Sequence, residues 1–251
     1  MSQQVVIVTG ASRGIGAATA RLLGEQKASV VVNYRNAKDQ ADSVVRDIEA
    51  SGGRATAVQG DMGNEADILR LFTESDRAFG PLTGLVNNAG IVGGQKRRID
   101  AITFAGAMEV MRVNVAGPLL CAREAIHRMS TKTGGKGGAI VNVSSLGALT
   151  GSPNAFLDYA ASKGALDTMT IGLAAETADC GIRVNAVRPG LIDTEIHNEV
   201  GIPDRVKRFG PKMPVGRAGD AREVAEAIMW LLSDKASYVT GDFINVTGGA
   251  R

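Results

Sequence analysis

Tyr159 and Lys163 are the residues of this chain whose types and spacing best suit acid–base chemistry. They stand four positions apart, so in a helix both side chains lie on the same face. A tyrosine with its ordinary pKa of about 10 exchanges protons poorly at neutral pH, but a nearby ammonium group stabilises the phenolate and lowers that pKa. Because this spacing also arises by chance, its meaning depends on the surrounding residues.

Two hydroxyl groups precede that pair in the chain. Ser144 and Ser145 directly follow Ala139–Val143, an apolar run typical of a buried strand. A serine at the end of such a strand can hold a substrate oxygen on which negative charge develops. Either serine could instead be a simple cap at the end of the strand, and the residues alone leave this choice open.

A glycine-rich segment follows the first apolar run of the chain. Its sequence, Thr-Gly-Ala-Ser-Arg-Gly-Ile-Gly over residues 9–16, separates a predicted strand from a predicted helix. Glycines allow a tight turn, and the start of a helix offers free N–H groups to phosphate. No Gly-Lys-Ser/Thr follows, which excludes a P-loop. The segment therefore predicts a dinucleotide site, with contacts from Gly10, Ser12, Arg13, Gly14 and Ile15.

The end of the second predicted strand bears on which dinucleotide is bound. An acidic residue at this point would bind the ribose hydroxyls of NAD, whereas a basic residue would pair with the 2′-phosphate of NADP. The chain has Asn33, Tyr34 and Arg35 there, without Asp or Glu. Arg35 and Arg13 could both contact a phosphate through forked hydrogen bonds. We therefore favour NADP(H), with NAD(H) as the alternative.

The elements that must position these residues alternate between strand and helix. The predicted strands are Val5–Val8, Ser29–Tyr34, Arg54–Gln59, Leu85–Val86, Ala139–Val143, Arg183–Val187 and Phe243–Val246. The predicted helices cover about 15–27, 37–51, 64–79, 104–129, 159–180 and 223–232. This alternation predicts an α/β fold, a doubly wound parallel seven-stranded sheet between two helical layers. Its ligand site should lie at the carboxyl ends of the strands.

Composition excludes several other classes of protein. The 251 residues contain no linker that divides them, so a single domain over 1–251 is expected. A net charge of +2 gives no support for nucleic-acid binding, and the short basic run Lys96–Arg98 is expected to be a solvated loop. The chain shows neither a signal peptide nor a membrane span, which predicts a cytoplasmic protein.

Cysteine and histidine offer no metal site in the sequence. Cys121 and Cys180 both fall in predicted helices and are interpreted as small buried apolar residues. His127 and His197 are far apart and lack the spacing of a ligand pair. No metal is therefore expected.

These motifs together resemble the short-chain dehydrogenase/reductase family over essentially the full chain. The matching segments are Thr9–Gly16, Gly60–Asp61, Asn87–Gly90, Asn114, the Ser145 region, Tyr159–Lys163 and Arg188–Gly190. The endings Tyr238–Gly241 and Gly248–Gly249 are also similar to this family. Among its subgroups, the glucose-dehydrogenase-like bacterial reductases are the most similar.

The resemblance implies a Rossmann fold and a role for each site residue. Tyr159 would donate the proton in reduction, Lys163 would lower its pKa and hold the nicotinamide ribose, and Ser145 would orient the carbonyl. Asn114 would anchor a water that links Lys163 to solvent. The remaining cofactor contacts implied are Asp61 and Met62 at the adenine, Asn88, Ala89 and Gly90 along the cofactor, and Pro189, Gly190, Ile192 and Thr194 at the nicotinamide amide.

One spacing departs from the family. Ser145 and Tyr159 are one residue further apart than the family's most frequent spacing, and the extra residue is expected in the loop 150–158, where insertions cost little. This leaves Ser144 as an alternative to Ser145, and we favour Ser145. The expected activity is NAD(P)(H)-dependent interconversion of a carbonyl and an alcohol. A non-catalytic dinucleotide sensor or scaffold is the alternative, and an epimerase or dehydratase is a third hypothesis.

Substrate choice and assembly are the least specified properties. The resemblance implies that specificity comes from 93–103 and from a loop-rich lid at about 195–217. The lid contains Ile196, His197, Val200, Ile202, Val206 and Phe209. This mixture favours a small or medium, partly apolar substrate. The family usually forms homotetramers or homodimers through the helices that hold Asn114 and Tyr159, where Ala160, Ala161, Gly164 and Ala165 would allow close packing.

Overall fold

A parallel sheet of seven strands forms the centre of the fold. The computed structural model describes residues 4–195 and 201–251. Its strands are β1 (Val5–Val8), β2 (Ser29–Tyr34), β3 (Arg54–Gln59), β4 (Gly84–Asn87), β5 (Gly138–Val143), β6 (Ile182–Pro189) and β9 (Phe243–Val246). They follow the spatial order β3-β2-β1-β4-β5-β6-β9, and each pairs in parallel with its neighbour. The predicted doubly wound sheet is confirmed.

A second, two-stranded sheet lies outside the main one. It joins β7 (Ile192–Asp193) to β8 (Gly219–Asp220). This pairing fastens the chain that leaves β6 to the start of the last helix. The predicted lid at about 195–217 therefore lies between two segments that are hydrogen-bonded to each other.

Helices cover both faces of the sheet. Those of the described residues are α1 (Gly14–Glu25), α2 (Lys38–Ala50), α3 (Glu65–Phe79), α4 (Phe104–Met111), α5 (Gly117–Met129), α6 (Gly147–Thr150), α7 (Leu157–Thr177), α8 (Arg205–Phe209) and α9 (Ala221–Leu232). The long helix predicted over 104–129 is α4 and α5 joined by a π-helical segment, Arg112–Ala116. Such segments are rare and often occur at functional sites.

The end of α7 corrects one prediction about the cysteines. The helix ends at Thr177, and a 3₁₀ turn, Ala178–Cys180, follows it. Cys180 is consequently half-buried instead of lying in the core, whereas Cys121 is fully buried as predicted. Both thiols are free.

Alternate residues of the first strand point into two separate apolar layers. Val6 and Val8 pack with Leu23 and other residues on the side of α1 and α9. Ile7 packs with Phe72 and the residues of α3 and α5 on the opposite side. This period of two places an apolar core on each face of the sheet, which is the three-layer arrangement expected for parallel strands.

The chain reverses its direction across the sheet between β1 and β4. From β1 it continues outward to β2 and β3, and it then returns to β4 on the other side of β1. At such a switch point the two crossovers separate and leave a crevice at the carboxyl ends of the strands. The glycine-rich segment after β1 and the segment Asn88–Gly90 after β4 both lie at this crevice. In the part of the chain that the structure describes, no helix is long and apolar enough to span a membrane.

Candidate active site

A cleft of about 800 Å³ runs along the carboxyl ends of the strands. It is lined by every residue predicted to bind the cofactor and by Ser145, Tyr159 and Lys163. Arg35 follows β2 and Ser145 follows β5, three strands away in the sheet. At about 4.8 Å per strand, the cleft extends for about 14 Å between these points. We call the part at Gly10–Ile15, Arg35 and Asp61 the nucleotide end, and the part at Ser145, Phe156, Tyr159 and Arg205 the substrate end.

The glycine turn at the nucleotide end has a backbone suited to phosphate. Gly10 and Gly14 have φ angles of +61° and +54°, which side-chain-bearing residues rarely adopt. A Cβ atom on Gly10 would lie 2.9 Å from the Cα atom of Ala89. The first turn of α1 has no acidic residue and no side-chain cap, so its positive end is available to an anion. The residues present therefore fit a dinucleotide.

Side-chain amides brace this turn from both sides. Asn33 accepts a hydrogen bond from the Gly10 N–H (3.1 Å) and donates one to the Gly60 carbonyl (3.1 Å). Asn88 donates to the carbonyls of Thr9 (2.8 Å) and Gly10 (3.0 Å). Asn33 is only 1% exposed, so its role is to hold the turn in place. The position of an asparagine at the end of a strand is the one sequence feature that could have indicated this.

The two arginines predicted to contact a 2′-phosphate lie at the same end of the cleft. Arg13 and Arg35 both line it and are both exposed. Asp61 lies beside them, but its carboxylate accepts a hydrogen bond from the Gly63 N–H (2.8 Å) and pairs with Arg112 (3.3 Å). The Asp61 carboxylate is therefore already engaged by other groups, and it offsets less of the positive charge of Arg13 and Arg35 than its place in the sequence suggests.

Ser145 and Tyr159 face each other at the substrate end. Burial raises the pKa of the Tyr159 hydroxyl, and a hydrogen bond with Ser145 and the charge of Arg205 lower it. The Ser145 hydroxyl also accepts a hydrogen bond from the Gly147 N–H (3.0 Å). Ser144 instead donates to the Asp167 carboxylate (2.6 Å) inside the protein. Of the two serines, Ser145 is the one oriented towards the tyrosine.

Lys163 lies behind the tyrosine ring. Its ammonium group is 5.6 Å from the centre of the Tyr159 ring and donates a hydrogen bond to the Val143 carbonyl (2.7 Å). Burial lowers the pKa of Lys163 to about 8, an effect that the Asp167 carboxylate partly offsets. Arg205 is a second cation near the tyrosine, and its charge lowers the pKa of Tyr159; the same role for Lys163 stays a prediction.

Asn114 lies beneath the cleft and does not line it. It is fully buried in the π-helical segment, where its amide accepts from the Ile91 N–H (2.9 Å) and donates to Ser162 (3.0 Å). A Cβ atom on Gly90 would lie 3.3 Å from the Asn114 oxygen and 3.5 Å from the Lys163 nitrogen. Asn114 and Lys163 therefore meet at the wall that Gly90 forms.

The prediction of a solvated loop at Lys96–Arg98 is wrong for Arg97. Its side chain is only 14% exposed and forms an ion pair with Asp158, the residue before Tyr159. The Arg97 N–H also donates to the Ala155 carbonyl (2.8 Å). These bonds join the loop after β4 to the start of α7. Because the partners are 61 positions apart, no local pattern could have revealed the pair.

The extra residue was expected in the loop 150–158, and this loop has an unusual backbone. Gly151, Ser152 and Asn154 have φ angles of +70°, +43° and +56°. Non-glycine residues with positive φ are uncommon and concentrate at functional sites. Thr150, Ser152 and Phe156 all line the cleft. The loop therefore contributes to the substrate end directly.

The residues that line the substrate end differ from those expected. Ile91 and Val92 line it just before the predicted segment 93–103, and Arg205 and Met213 do so from the lid. Ile202 and Phe209 do not, and Val206 lies in an adjoining groove. Ile196, His197 and Val200 lie outside the described residues. Sequence analysis missed Leu146, Phe156 and Arg205. Of these, only Arg205, a cation within the lid, could have been singled out.

No set of three or more His, Cys, Asp or Glu side chains in the described ranges could hold a metal ion.

Comparisons with known proteins agree with this geometry. Residues 10–251 match the model of a family described as enoyl-(acyl carrier protein) reductase. An uncharacterised oxidoreductase, YgfF, of Escherichia coli (strain K12) is 51% identical over 245 residues, which cover 98% of this chain and 99% of the relative. Glucose 1-dehydrogenase 2 of Bacillus subtilis (strain 168) is 37% identical over 253 residues, covering 99% and 95%. The crystal structure of a dehydrogenase/reductase from Sinorhizobium meliloti 1021 has a TM-score of 0.90 at 33% identity, covering 99% and 95%.

Proposed function

The chain belongs to the short-chain dehydrogenase/reductase family of oxidoreductases, and from this premise we propose that it interconverts a carbonyl group and an alcohol with NADP(H). The observation that carries the proposal is that Ser145 and Tyr159 line the same cleft as the glycine turn, close enough for Ser145 to lower the pKa of the Tyr159 hydroxyl. The pair places two hydroxyl groups where a substrate oxygen can contact both. The substrate is a small or medium organic molecule.

We propose that the nucleotide end holds the cofactor through backbone and arginine contacts. Gly10, Ser12, Gly14 and Ile15 surround the phosphates at the start of α1, and Arg13 and Arg35 pair with the 2′-phosphate. NAD(H) is the alternative cofactor. The remaining contacts proposed are Asp61 and Met62 at the adenine, Asn88, Ala89 and Gly90 along the cofactor, and Tyr159, Lys163, Pro189, Gly190, Ile192 and Thr194 around the nicotinamide half. When bound, the cofactor supplies the hydride for reduction or accepts it in oxidation.

The chain's own residues supply the proton and the hydrogen bonds. Ser145 donates a hydrogen bond to the carbonyl oxygen and thereby favours the charge that develops on it. In reduction, Tyr159 gives its hydroxyl proton to the same oxygen, and in oxidation it accepts that proton. The positive charges of Lys163 and Arg205 stabilise the phenolate left on Tyr159. Asn114 holds Ile91 and Ser162 in place and links Lys163 to solvent through a water.

A non-catalytic sensor or scaffold is the alternative function. Such a protein would bind the dinucleotide but would have no need for a tyrosine hydroxyl paired with a serine in the cleft. An epimerase or dehydratase would also use the cofactor, but without net oxidation or reduction. A measured change in NADPH absorbance with substrate distinguishes the proposed function from both.

The test is Tyr159→Phe, with Tyr238→Phe as the matched control, since Tyr238 is fully exposed. Wild-type enzyme is screened for NADPH oxidation over aldehydes, ketones, keto-esters and sugars. Tyr159→Phe is expected to lower kcat by about 100-fold or more, because it removes the general acid, and to leave NADPH affinity unchanged in a fluorescence titration. Tyr238→Phe should change neither. Activity of Tyr159→Phe within a factor of two of wild type would refute the proposal.

We also propose that the chain forms a homotetramer or homodimer through α4, α5 and α7. These helices carry exposed apolar side chains, which are Phe104, Met108, Leu119, Leu157 and Ile171. Of the small residues expected to face a partner, Ala160 is buried within its own chain, whereas Ala161 is exposed and Gly164 and Ala165 are half-buried. Light scattering of wild type and of Phe104→Asp, with a smaller mass for the variant, tests this arrangement. The cytoplasmic location and the lid at about 195–217 stay predictions.

A further inference from the structure

Arg205 presents a guanidinium group at the substrate end that has no acidic partner among the described residues. It is the first residue of α8, lines the cleft and is half-buried. Its guanidinium carbon lies 5.6 Å from the centre of the Phe156 ring, and its charge acts on Tyr159. An arginine cannot lose its proton to escape burial, so the structure keeps a positive charge beside the proposed reaction centre.

The other half-buried arginines of the described ranges are all neutralised or hydrogen-bonded. The pairs are Arg21 with Asp47, Arg97 with Asp158, Arg112 with Glu109, Arg128 with Glu124, Arg188 with Asp167, and Arg183 with the Leu231 carbonyl. Removing a charge from water without a partner is costly. Arg205 is the exception among these half-buried arginines, and it lies where the cleft adjoins Tyr159.

The charged groups that line the cleft are divided between its ends. The described carboxylates that line it are Asp61 and Glu195. Asp61 pairs with Arg112, and Glu195 lies at Gly14, where one of its oxygens is 3.9 Å from a Cβ built on that glycine. The charged groups at the substrate end are Arg205 and, behind Tyr159, Lys163. A ligand group that enters there therefore meets two positive charges.

Resting on the proposed function, we propose that the substrate carries an anionic group of carboxylate size, held by Arg205 while its carbonyl oxygen contacts Ser145 and Tyr159. A guanidinium binds a carboxylate through two parallel hydrogen bonds and thereby fixes its orientation. The Phe156 ring supports one side of the guanidinium, which leaves its N–H edge for the ligand. Arg205 is in this way a specificity-determining residue.

The first experiment compares charged and neutral substrates of nearly the same shape. The probes are 4-formylbenzoate with its methyl ester, and 4-oxobutanoate with its methyl ester, each reduced with NADPH. Wild type should prefer the acids, and Arg205→Gln should lower kcat/KM for the acids by about 10- to 100-fold, the loss expected for a charge-assisted hydrogen bond. The esters should lose distinctly less than the acids, because for them only the effect of the Arg205 charge on Tyr159 is removed. Arg205→Lys should retain part of the preference, because it keeps the charge.

The matched control is Arg208→Gln. Arg208 lies on the same helix but is exposed and lies over the Phe209 ring outside the cleft. This variant should behave as wild type with all four probes. Equal losses for acids and esters in Arg205→Gln, or a weaker NADPH affinity in that variant, would overturn the proposal, the latter by assigning Arg205 to the cofactor. Thermal unfolding of each variant shows that it is folded.

A second experiment does not depend on turnover. Calorimetry measures binding of benzoate and of the neutral benzamide to the enzyme saturated with NADP⁺. Benzoate should bind more tightly to wild type and to Tyr159→Phe, and Arg205→Gln should abolish this difference. Equal affinities for the two ligands in wild type would contradict the anionic substrate. Continued turnover by Tyr159→Phe would instead contradict the proposed function. The role of Arg205 in holding an anionic group would then be judged from the benzoate and benzamide affinities alone.

Discussion

The two ends of the cleft are built by different means. At the nucleotide end, strand ends and backbone groups form the surface, and the amides of Asn33 and Asn88 hold the glycine turn. At the substrate end, segments from three parts of the chain meet through side chains. Arg97 joins one segment to Asp158, and Arg205 lies against Phe156.

This difference follows from where each end lies relative to the sheet. Parallel pairing fixes the relative positions of the ends of β1, β2 and β4, so a short turn after each strand is enough to shape a phosphate site. At the substrate end Ser145 directly follows β5, whereas Phe156, Tyr159 and Arg205 lie outside the sheet, where no strand pairing sets the distances between segments. Side-chain pairs must do so instead, and these pairs can differ between relatives without changing the fold.

The largest predicted effect concerns the ion pair that joins the substrate-end loops. Asp158→Asn keeps the shape of the side chain but leaves the buried Arg97 without a counter-ion. We expect it to lower the free energy of unfolding by about 3 kcal/mol and to reduce turnover, with NADPH affinity unchanged. Urea unfolding and NADPH fluorescence measure the two quantities.

A double variant and a surface pair serve as controls for that prediction. Arg97→Met together with Asp158→Asn should be less destabilised than Asp158→Asn alone, since no unpaired charge remains. Asp179→Asn removes an exposed pair with Lys132 and should cost less than about 1 kcal/mol. If Asp158→Asn also weakened NADPH binding tenfold, the two ends would not be separate units.

The second prediction tests the backbone of the nucleotide end. Gly10→Ala forces a side chain into a positive φ and to within 2.9 Å of the Ala89 backbone. We expect a loss of about 2 kcal/mol of stability and at least tenfold weaker NADPH binding, measured as for Asp158→Asn. The control is Gly52→Ala, because Gly52 has a φ of +89° and open space around it. It should lose about 1 kcal/mol of stability and keep its NADPH affinity, and equal effects of the two variants on NADPH binding would contradict the prediction.

The same division explains what could be predicted from the sequence. The seven strands and the glycine turn were predicted because periodicity and turn chemistry are local, whereas the spatial order of the strands came from the structure. The π-helical segment at Asn114 was missed because residues 104–129 carry one continuous helical pattern. The Arg97–Asp158 pair and the exposure of Arg205 to the cleft depend on contacts between distant segments. The choice between Ser144 and Ser145 likewise needed Asp167, a distant partner, to show which hydroxyl turns inward.

The third prediction sharpens the cofactor assignment at the nucleotide end. Arg35→Ala should reduce the preference for NADPH over NADH by about tenfold, equivalent to about 1.4 kcal/mol, because it removes one guanidinium from the 2′-phosphate. The ratio of kcat/KM for the two cofactors measures this effect. Arg46→Ala, an exposed arginine on α2, is the control and should leave the ratio unchanged. An unaltered ratio in Arg35→Ala would mean that Arg35 does not bind the phosphate.

The smallest predicted effect belongs to Lys163, where the two ends meet. Burial holds its pKa at about 8 in the folded protein, below the value of about 10.4 in an unfolded chain. Between these values the unfolded chain binds more protons, so the contribution of Lys163 to stability rises with pH. From pH 7 to pH 9, wild type should gain about 1 kcal/mol of unfolding free energy relative to Lys163→Met.

Urea unfolding without cofactor at the two pH values checks this gain, and other titrating groups cancel in the comparison of the two proteins. Lys163→Leu should show the same difference from wild type as Lys163→Met, because both side chains lack a charge. A difference that stays constant with pH would mean that the Lys163 ammonium is solvated in the folded protein. The wall formed by Gly90, Asn114 and Lys163 would then be open to water, and the boundary between the two ends would lie elsewhere.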